Sequence, residues 1–286
     1  MKLHSVAVAC ALAISFGGLS AASSARAQTG EAAIAPSPAL QTALQGEWRT
    51  PANVARDRFR HPGPTLAFFG LKPTDTVIEI TPGNGWYSEI LAPYLREQGR
   101  YVAAVVDPAA LAEGGGRDYQ QRARSGLEKL FADKPAQFDR AAIVAYDPAA
   151  PRFGDDASAD AVLTFRNVHN WLSAGQAEAM FKGFFAVLKP GGTLGVVEHR
   201  AAPGAPDKSD DGYVTVAKVI ALAEAAGFRL DAQSEVNANP KDTKDHPNGV
   251  WTLPPTNRHD PADDAKYQAI GESDRMTLRF VKPSHE

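Results

Sequence analysis

The sequence predicts a single doubly wound α/β domain, in which helices cover both faces of a mostly parallel sheet. Five near-continuous apolar runs, rich in β-branched residues, are typical of strands that are buried on both faces. These runs are residues 77–80, 102–106, 142–145, 161–164 and 194–197. Two further strands, near residues 229–235 and 276–281, complete a seven-stranded sheet. Helical stretches separate the runs, and this alternation indicates parallel pairing.

Four helical stretches follow the strands, at residues 87–97, 119–131, 174–188 and 214–226. The third ends in Lys-Pro-Gly-Gly, a clear stop-and-turn pattern, and the fourth ends at Gly227. Between the last two strands, residues 239–272 form a long polar segment with five prolines. A loop of this length inside a compact domain is either functional or disordered.

An N-terminal helical lead-in precedes the first strand. Residues 28–47 are rich in Ala, Gln, Ser and Pro and are typical of a flexible leader with one short helix from Pro38. Thr50 and Pro51 suit the N-cap and the first position of a second helix, which breaks near residues 61–64. A short helix at 65–69 then ends at Gly70. We therefore expect a lead-in over residues 28–75 and the α/β domain over residues 76–286.

The first 27 residues have the pattern of a cleaved signal peptide. A basic start at Lys2 is followed by an apolar stretch over residues 3–19, and Ala25-Arg26-Ala27 forms an A-x-A cleavage site. A membrane anchor is the alternative, but Gly17 and Gly18 interrupt a stretch that is already short for a span. The sequence predicts cleavage after Ala27, a periplasmic or secreted protein and no stable membrane insertion.

Removal of this segment changes the composition of the folded protein. The segment holds two basic residues, no acidic one and the single cysteine, so residues 28–286 carry 28 basic and 33 acidic side chains and a net charge of −5. A nucleic-acid binder held by phosphate contacts is disfavoured, because no excess of Lys and Arg is available. Disulfides, cysteine nucleophiles and cysteine-based zinc sites are excluded.

The first strand runs into a glycine-containing turn, Glu-Ile-Thr-Pro-Gly-Asn-Gly-Trp-Tyr-Ser at residues 79–88. Gly83 and Gly85 allow a ligand to approach the backbone closely, and the following helix offers free N–H groups. Taken alone, the G-x-G pattern is equally typical of a plain turn.

Polar residues near the ends of the next strands favour a ligand site. Asp107 ends the second strand, where a carboxylate can accept hydrogen bonds from ribose hydroxyls. Asp147 follows the third strand, and residues 166–171, Arg-Asn-Val-His-Asn-Trp, follow the fourth. Because the carboxyl ends of parallel strands meet at one edge, these residues surround the predicted cleft.

An NAD-binding enzyme is one interpretation of this cleft. Its turn must admit a pyrophosphate, and the usual pattern is G-x-G-x-x-G or Ala. Here Ser88 takes the third position, bulky Trp86 and Tyr87 fill the gap, and the carboxylate of Glu79 repels a pyrophosphate. A carboxylate at the end of the first strand suits a cationic ligand instead.

With these residues the chain resembles a class I S-adenosylmethionine-dependent methyltransferase, which has a Rossmann-like fold. The family pattern E/D-x-G-x-G-x-G aligns with Glu79, Thr81, Gly83 and Gly85, so that Thr81 stands in place of the first glycine. Further matches are Leu-Lys-Pro-Gly-Gly from residue 188, Ala-Gly-Phe from residue 226 and the late strand at 276–281, which inserts antiparallel in this family. The resemblance covers residues 76–283.

The chain also resembles, more narrowly, a bacterial group of exported predicted methyltransferases. The lead-in of that group reads DR-x-RHP followed by FFG, here at residues 57–62 and 68–70. Its members share a PG-x-GWY turn and an RNVH-x-W segment, which are also present.

The resemblance implies that S-adenosylmethionine is the cofactor. Gly83 and Gly85 would approach its methionine part, Asp107 its ribose and Asp147 its adenine. A Cβ at Thr81 restricts φ and crowds a ligand, yet we expect binding because the other two glycines remain. The predicted cofactor site comprises Glu79, Thr81, Gly83, Gly85, Trp86, Asp107, Asp147 and Asn167.

Candidates for catalysis lie after the fourth and fifth strands. His169 is the first candidate for a general base, and Glu198 and His199 at the end of strand five are the second, against structural roles as packing or capping residues. His61 lines the pocket or packs the lead-in. Trp86, Tyr87 and Trp171 line the cleft or pack in the core. Convergence of His61, His169, Glu198 and His199 on a metal is an alternative, but their spacing is not a metal signature, so no metal is predicted.

The sequence therefore predicts an exported S-adenosylmethionine-dependent methyltransferase that acts on an unknown small molecule. The alternative is a non-catalytic protein that retained the fold and binds a small ligand. Export favours this alternative, because the cofactor is made in the cytosol.

Overall fold

The computed structural model of the protein describes residue 1, residues 35–206 and residues 210–284. Apart from Met1, the predicted signal peptide at residues 1–27 lies outside the described residues. Among the described helices, none combines the length and the apolar character needed to cross a bilayer.

Seven strands form one sheet, which confirms the predicted fold class. The strands are Thr76–Ile80 (β1), Arg100–Val106 (β2), Ala142–Tyr146 (β3), Ala159–Phe165 (β4), Leu188–His199 (β5), Arg229–Ser234 (β6) and Arg275–Val281 (β7). Their order is β3-β2-β1-β4-β5-β7-β6. The first five strands pair in parallel, and β7 inserts antiparallel between β5 and β6.

Helices cover both faces of the sheet. In the described part they are Pro38–Leu44 (α1), Pro51–Val54 (α2), Asp57–Arg60 (α3), Pro62–Phe68 (α4), Ser88–Leu95 (α5), Gly115–Asp133 (α6), Pro135–Phe138 (α7), Val168–Ser173 (α8), Ala177–Val187 (α9), Val216–Ala225 (α10) and Asp264–Ile270 (α11). One buried cluster packs α9 and α10 on one face, around Phe181 and Phe184. The other packs the lead-in and α5 on the opposite face, around Leu66 and Ile90. Burial of each such side chain contributes about 1.5–3 kcal/mol.

Several predicted boundaries differ from the structure. The predicted helix at 119–131 begins earlier, at Gly115, and the short helix at 65–69 begins at Pro62, inside the predicted break at 61–64. The predicted helix at 174–188 begins later, at Ala177, and a separate helix, α8, precedes it. The predicted turn at residues 189–192 lies within β5, because Leu188 already pairs with Ala159 of β4. The pairing then shifts to Ala161 with Thr193, so the Pro-Gly-Gly residues form an irregularity inside the strand rather than a turn before it.

The lead-in docks onto α5 through polar contacts. The carboxylate of Glu89 accepts hydrogen bonds from the Thr50 N–H at 3.0 Å, the Thr50 hydroxyl and Asn53 Nδ2 at 3.0 Å. Thr50 is the N-cap of α2, as predicted, but its hydroxyl bonds to Glu89 instead of the helix. The predicted helix from Pro51 is divided into α2 and α3.

The segment 239–272, predicted to be functional or disordered, has a defined course that includes α11. Asp242 anchors it. Its carboxylate accepts hydrogen bonds from the Tyr213 hydroxyl at 2.9 Å, His246 Nε2 at 2.8 Å and the Asp274 N–H at 2.7 Å. A fully enclosed carboxylate with several donors ties the segment to the sheet.

Candidate functional site

A cavity of about 720 Å³ opens at the carboxyl ends of β1 and β4. The strand order reverses between these two strands, and ligands of doubly wound sheets bind at this position. The volume lies within the range of small-molecule sites, about 300–1,000 Å³. The lining residues come from the turn after β1, the segment after β4, the end of β5 and the segment 239–272; they include Thr81, Gly83, Arg166, His169, His199 and Trp251.

The turn after β1 keeps the backbone of a glycine-rich turn although it contains Thr81. This threonine has φ +50°, a left-handed conformation that is rare for a β-branched residue. Its hydroxyl forms a hydrogen bond with the Tyr146 hydroxyl at 2.7 Å, which helps to hold it there. The side chain therefore points toward β3.

The two glycines of the turn have different surroundings. Gly83 has φ +60°, lines the cavity, and a Cβ added to it would meet nothing within 4 Å. Gly85 has φ +82°, and a Cβ there would come within 2.8 Å of Leu130 and 3.0 Å of Leu127 on α6. Gly83 thus leaves backbone open to a ligand, whereas Gly85 is required for close packing of α6.

Glu79 is buried at the end of β1 and lines the cavity. Its Oε2 accepts hydrogen bonds from the hydroxyls of Tyr101 at 2.7 Å and Ser88 at 3.1 Å. Burial raises the pKa of Glu79 to about 7, although both hydrogen bonds and the charge of Arg166 lower it. This carboxyl therefore exchanges a proton near neutral pH, and a cationic ligand in the cavity would favour its charged form.

Trp86 also lines the cavity, and its indole Nε1 donates a hydrogen bond to the carbonyl of Asn53 at 3.1 Å. The guanidinium of Arg60 lies over the indole ring, 4.7 Å from its centroid. Tyr87 and Phe165, stacked at 3.6 Å, extend this aromatic wall. The aromatic side chains of the cleft thus combine cavity lining with packing of the lead-in.

Asp107 and Asp147 lie at the carboxyl edge of the sheet but outside the cavity lining. One oxygen of Asp107 accepts the Ala109 N–H at 3.0 Å, and one oxygen of Asp147 accepts the Ala149 N–H at 2.8 Å. Within the described residues the second oxygen of each has no hydrogen bond, so both can still accept one. The cavity wall nearby is formed by Leu111, Tyr119, Gln120 and Pro148.

Asn167 joins the ends of β1 and β4. Its Nδ2 donates to the Ile80 carbonyl at 3.0 Å and to the Thr164 hydroxyl at 3.2 Å. The side chain is buried and lines the cavity. Its amide oxygen is the group left to contact a ligand.

His169 and Glu198 form a buried pair at the cavity. Nδ1 of His169 lies 3.0 Å from Oε1 of Glu198, whose oxygens also accept the N–H groups of Val168 at 2.6 Å, His169 at 3.3 Å and His199 at 2.8 Å. A carboxylate only accepts, so we assign the imidazole proton to Nδ1. The Nε2 lone pair is then free, which is the arrangement of a general base.

His199 lines the same part of the cavity, and its ring centroid lies 5.2 Å from that of His169. Its Nδ1 lies 2.5 Å from the Ser273 hydroxyl. Burial, followed by the charges of His169 and nearby arginines, lowers the pKa of His199 well below its usual value. This imidazole therefore stays neutral at physiological pH.

Of the four residues considered for a metal, His169, Glu198 and His199 offer ligand atoms within 4.8 Å of one another, and His61 does not belong to this group. Four N–H groups already occupy the oxygens of Glu198. This arrangement is typical of a carboxylate that orients a histidine, rather than of one that binds a metal directly. The expected absence of a metal stays a prediction.

Three arginines, of which Arg60 and Arg275 are buried, surround a single carboxylate beside the histidines. Glu272 accepts hydrogen bonds from Arg56 Nε at 2.7 Å, Arg60 Nε at 3.1 Å and Arg275 Nη1 at 3.1 Å. Arg60, Glu272 and Arg166 line the cavity. Sequence analysis missed Glu272, Ser273 and Trp251, because they lie in or directly after a segment without periodicity.

His61 and Trp171 have different positions. Trp171 lines the cavity and is almost fully buried. His61, with φ +40°, links α3 to α4 and lies outside the cavity lining. The lead-in reaches the cavity through its neighbour Arg60.

No protein-family model matches the sequence, and a search of curated proteins found no match. Solved structures do match the fold. A SAM-dependent methyltransferase from Aquifex aeolicus has a TM-score of 0.54 at 15% identity, covering 82% of this chain and 94% of that one. The [4+2]-cyclase SpnF has a TM-score of 0.56 at 14% identity, covering 88% and 98%.

At identities this low, the neighbours establish only the fold. The narrower resemblance to an exported group stays a prediction. The sheet order with an antiparallel β7, the cavity at the strand reversal and these neighbours agree. The chain has the fold of the class I S-adenosylmethionine-dependent methyltransferases.

Proposed function

We propose that this protein is an exported S-adenosylmethionine-dependent methyltransferase that acts on a small molecule. The observation that carries the proposal is the cavity at the strand reversal, which brings the open backbone of Gly83 and the oriented imidazole of His169 into one space. Fold alone does not establish an activity, so the proposal depends on these side chains.

The residues around the turn after β1 fit the cofactor. Gly83 leaves room beside the backbone. Asp107 and Asp147 each keep one carboxylate oxygen that accepts no hydrogen bond from the described residues. Glu79 offers a carboxyl group whose charged form a cationic ligand would favour. We name Glu79, Gly83, Leu111, Tyr119 and Pro148 the cofactor half of the cavity; Asp107 and Asp147 lie outside its lining, at the same edge of the sheet. A bound S-adenosylmethionine supplies an activated methyl group there.

We name Arg166, His169, His199 and Trp251 the acceptor half of the cavity. Nε2 of His169 takes the proton of an acceptor O–H or N–H, while Glu198 holds Nδ1–H and stabilises the imidazolium that forms. Neutral His199 lies beside it and adds no competing charge. Trp251 forms the neighbouring wall, with its ring centroid 6.0 Å from that of His169.

Calorimetry on residues 28–286 tests the cofactor assignment. We expect S-adenosylmethionine and S-adenosylhomocysteine to bind. Absence of binding at about millimolar ligand, where the binding free energy is only about −4 kcal/mol, would overturn the cofactor assignment.

Methyl transfer from labelled S-adenosylmethionine to a small-molecule extract then compares wild type with His169→Ala. Turnover should fall about 10²–10⁴-fold with cofactor affinity nearly unchanged; an equal rate would refute the base assignment.

Export is tested by the mass of the protein isolated from its own cells. A chain that begins at Gln28 is expected, and an intact Met1 would contradict the signal peptide.

A non-catalytic ligand-binding protein is the second candidate. Thr81 in a glycine conformation favours it, because its Cβ and its hydroxyl occupy a position that the family pattern leaves empty. The neighbour SpnF is named a cyclase, so the fold is not confined to methyl transfer. Native mass spectrometry of the isolated protein separates the two: a bound adenosyl ligand favours the enzyme, and a different ligand favours the binding protein.

A further inference from the structure

Arginines outnumber carboxylates at the cavity wall and directly behind it: Arg60 and Arg166 line the cavity, whereas Arg56 and Arg275 reach it only through Glu272. Arg56, Arg60 and Arg275 all donate to the one carboxylate of Glu272. Arg166 lies close enough to affect the pKa of Arg60, but none of the described residues accepts a hydrogen bond from its guanidinium. Three guanidinium groups thus hydrogen-bond to one carboxylate, and the fourth, that of Arg166, is attracted to Glu272 and Glu79 only through space. Burial of incompletely paired charge is costly unless a ligand neutralises it.

The other carboxylates near the cavity do not balance this charge. Burial raises the pKa of Glu79 to about 7, so it is only partly ionised at neutral pH. Glu198 accepts four N–H hydrogen bonds from neutral groups, including His169, and forms no ion pair with an arginine of the described part of the chain. Asp274 pairs with Arg200 and Lys244 instead. Even with Glu198 and Glu79 counted as ionised together with Glu272, four guanidinium groups face three carboxylates, so at least one positive charge near the cavity lacks a counter-charge among these residues.

Arg166 is held in place by an unusual backbone. Its φ of +61° is rare for a residue with a side chain, and its N–H donates to the Val197 carbonyl at 2.7 Å. Strained conformations of this kind concentrate at functional sites, where surrounding structure maintains them. Its guanidinium lines the cavity with some surface exposed, so it can receive a ligand.

Arg166 lies on the acceptor side of the cavity. It directly follows β4 and precedes His169 by three residues, whereas Gly83 and Asp107 follow β1 and β2. Arg60, stacked on Trp86, adds a second guanidinium to the lining. Guanidinium groups bind carboxylates and phosphates through paired hydrogen bonds, and aromatic walls suit a planar body.

We propose that Arg166, supported by Arg60, binds an oxyanion of the methyl acceptor, so that the acceptor is a small organic anion with a carboxylate or phosphate group. This assignment rests on the proposed methyltransferase function. The same positive charge disfavours a metal cation beside His169 and His199.

Calorimetry with benzoate and inorganic phosphate tests the subsite on the protein saturated with S-adenosylhomocysteine and on the free protein. The variants are Arg166→Gln, which removes the charge, and Arg166→Lys, which keeps it. Arg229→Gln is the matched control, because Arg229 is exposed at the opposite, amino end of the sheet. Thermal unfolding checks that each variant folds.

We expect at least one anion to bind wild type and Arg229→Gln alike and about 10- to 100-fold more weakly to Arg166→Gln, with partial retention by Arg166→Lys. The subsite is refuted if neither anion binds wild type, or if Arg166→Gln binds equally well.

The cofactor's own carboxylate is the other source of an oxyanion. Comparison of S-adenosylhomocysteine with 5′-methylthioadenosine, which lacks that carboxylate, distinguishes the two sources. If Arg166→Gln weakens only S-adenosylhomocysteine, the acceptor assignment is overturned. If S-adenosylhomocysteine does not bind wild type, the cofactor proposal fails, while Arg166-dependent anion binding by the free protein would still support the subsite.

Discussion

Replacement of Glu272 by glutamine should destabilise the protein severely. The carboxylate is almost fully buried and joins Arg56 and Arg60 of the lead-in to Arg275 of β7 through three ion-paired hydrogen bonds. Glutamine keeps the shape of the side chain but leaves these guanidinium groups without a counter-charge. Breaking a buried ion pair by removing one partner costs about 3–5 kcal/mol.

The pKa of Glu272 gives a second route to the magnitude. Burial raises this pKa, but Arg60, Arg275 and two further arginines outweigh burial and hold it at about 2, below the ordinary 4.5. At ~1.4 kcal/mol per pH unit, this difference amounts to about 3 kcal/mol. The folded-state pKa lies below the unfolded one, so the stabilisation is complete above the unfolded pKa and is lost as the pH falls. By about pH 3 roughly 2 kcal/mol is gone.

Urea unfolding followed by tryptophan fluorescence measures this effect. We expect Glu272→Gln to lose about 3 kcal/mol at neutral pH and about 1 kcal/mol near pH 3. Glu128→Gln is the control, because Glu128 pairs with Arg124 on an exposed face of α6, and the loss should be at most about 0.5 kcal/mol. A loss below ~1 kcal/mol for Glu272→Gln, or one independent of pH, would refute the reasoning.

Three further predictions concern the turn after β1 and the lead-in. Thr81→Val keeps a branched residue in the left-handed conformation but loses the hydrogen bond to Tyr146, so the free energy of unfolding should fall by about 1 kcal/mol. Thr81→Gly should lower it less, because glycine adopts the left-handed backbone without strain. Equal urea midpoints for the two variants would contradict this. Burial raises the pKa of Glu79 to about 7, so the folded protein binds this proton more tightly than the unfolded chain does. The free energy of unfolding of the wild type should therefore fall by up to about 3 kcal/mol between pH ~4.5 and ~7. Unfolding of Glu79→Gln measured across that range should lack this fall. Glu89→Gln weakens the contacts with Thr50, and limited proteolysis should cut the lead-in faster than in wild type, whereas an unchanged rate would show that apolar packing alone retains it.

The strands were predictable because their signal is local. A strand buried on both faces needs an apolar side chain at nearly every position, and such runs stand out in β1, β4 and β5 without knowledge of their neighbours. The antiparallel insertion of β7 followed from the family resemblance, since its sequence carries no sign of its direction.

Helix α8 could not be predicted from its own residues. Its six residues have no apolar period, and the N-cap Asn167 makes no capping bond from its side chain. The free N–H groups of Val168 and His169 are instead satisfied by Glu198, about thirty positions later in the chain. A helix stabilised by a distant carboxylate becomes visible only when β4 and β5 are side by side.

The segment 239–272 illustrates a similar limit. Its prolines and charges predict only that regular structure is interrupted. Its course depends on Asp242, which is stable inside the protein because the hydroxyl of Tyr213, the ring of His246 and the N–H of Asp274 surround it. Once anchored in this way, the segment brings Trp251 to the cavity.

The sequence by itself determined the class of fold and the position of the glycine-containing turn, because both depend on residues close together in the chain. Only the tertiary structure decided which turn glycine leaves room for a ligand, with Gly83 open and Gly85 packed on α6. It also decided the charge of the cavity. Each arginine is visible in the sequence, but whether a carboxylate neutralises it depends on distances across the sheet. Three arginines donate to Glu272, whereas none of the described residues accepts a hydrogen bond from the guanidinium of Arg166.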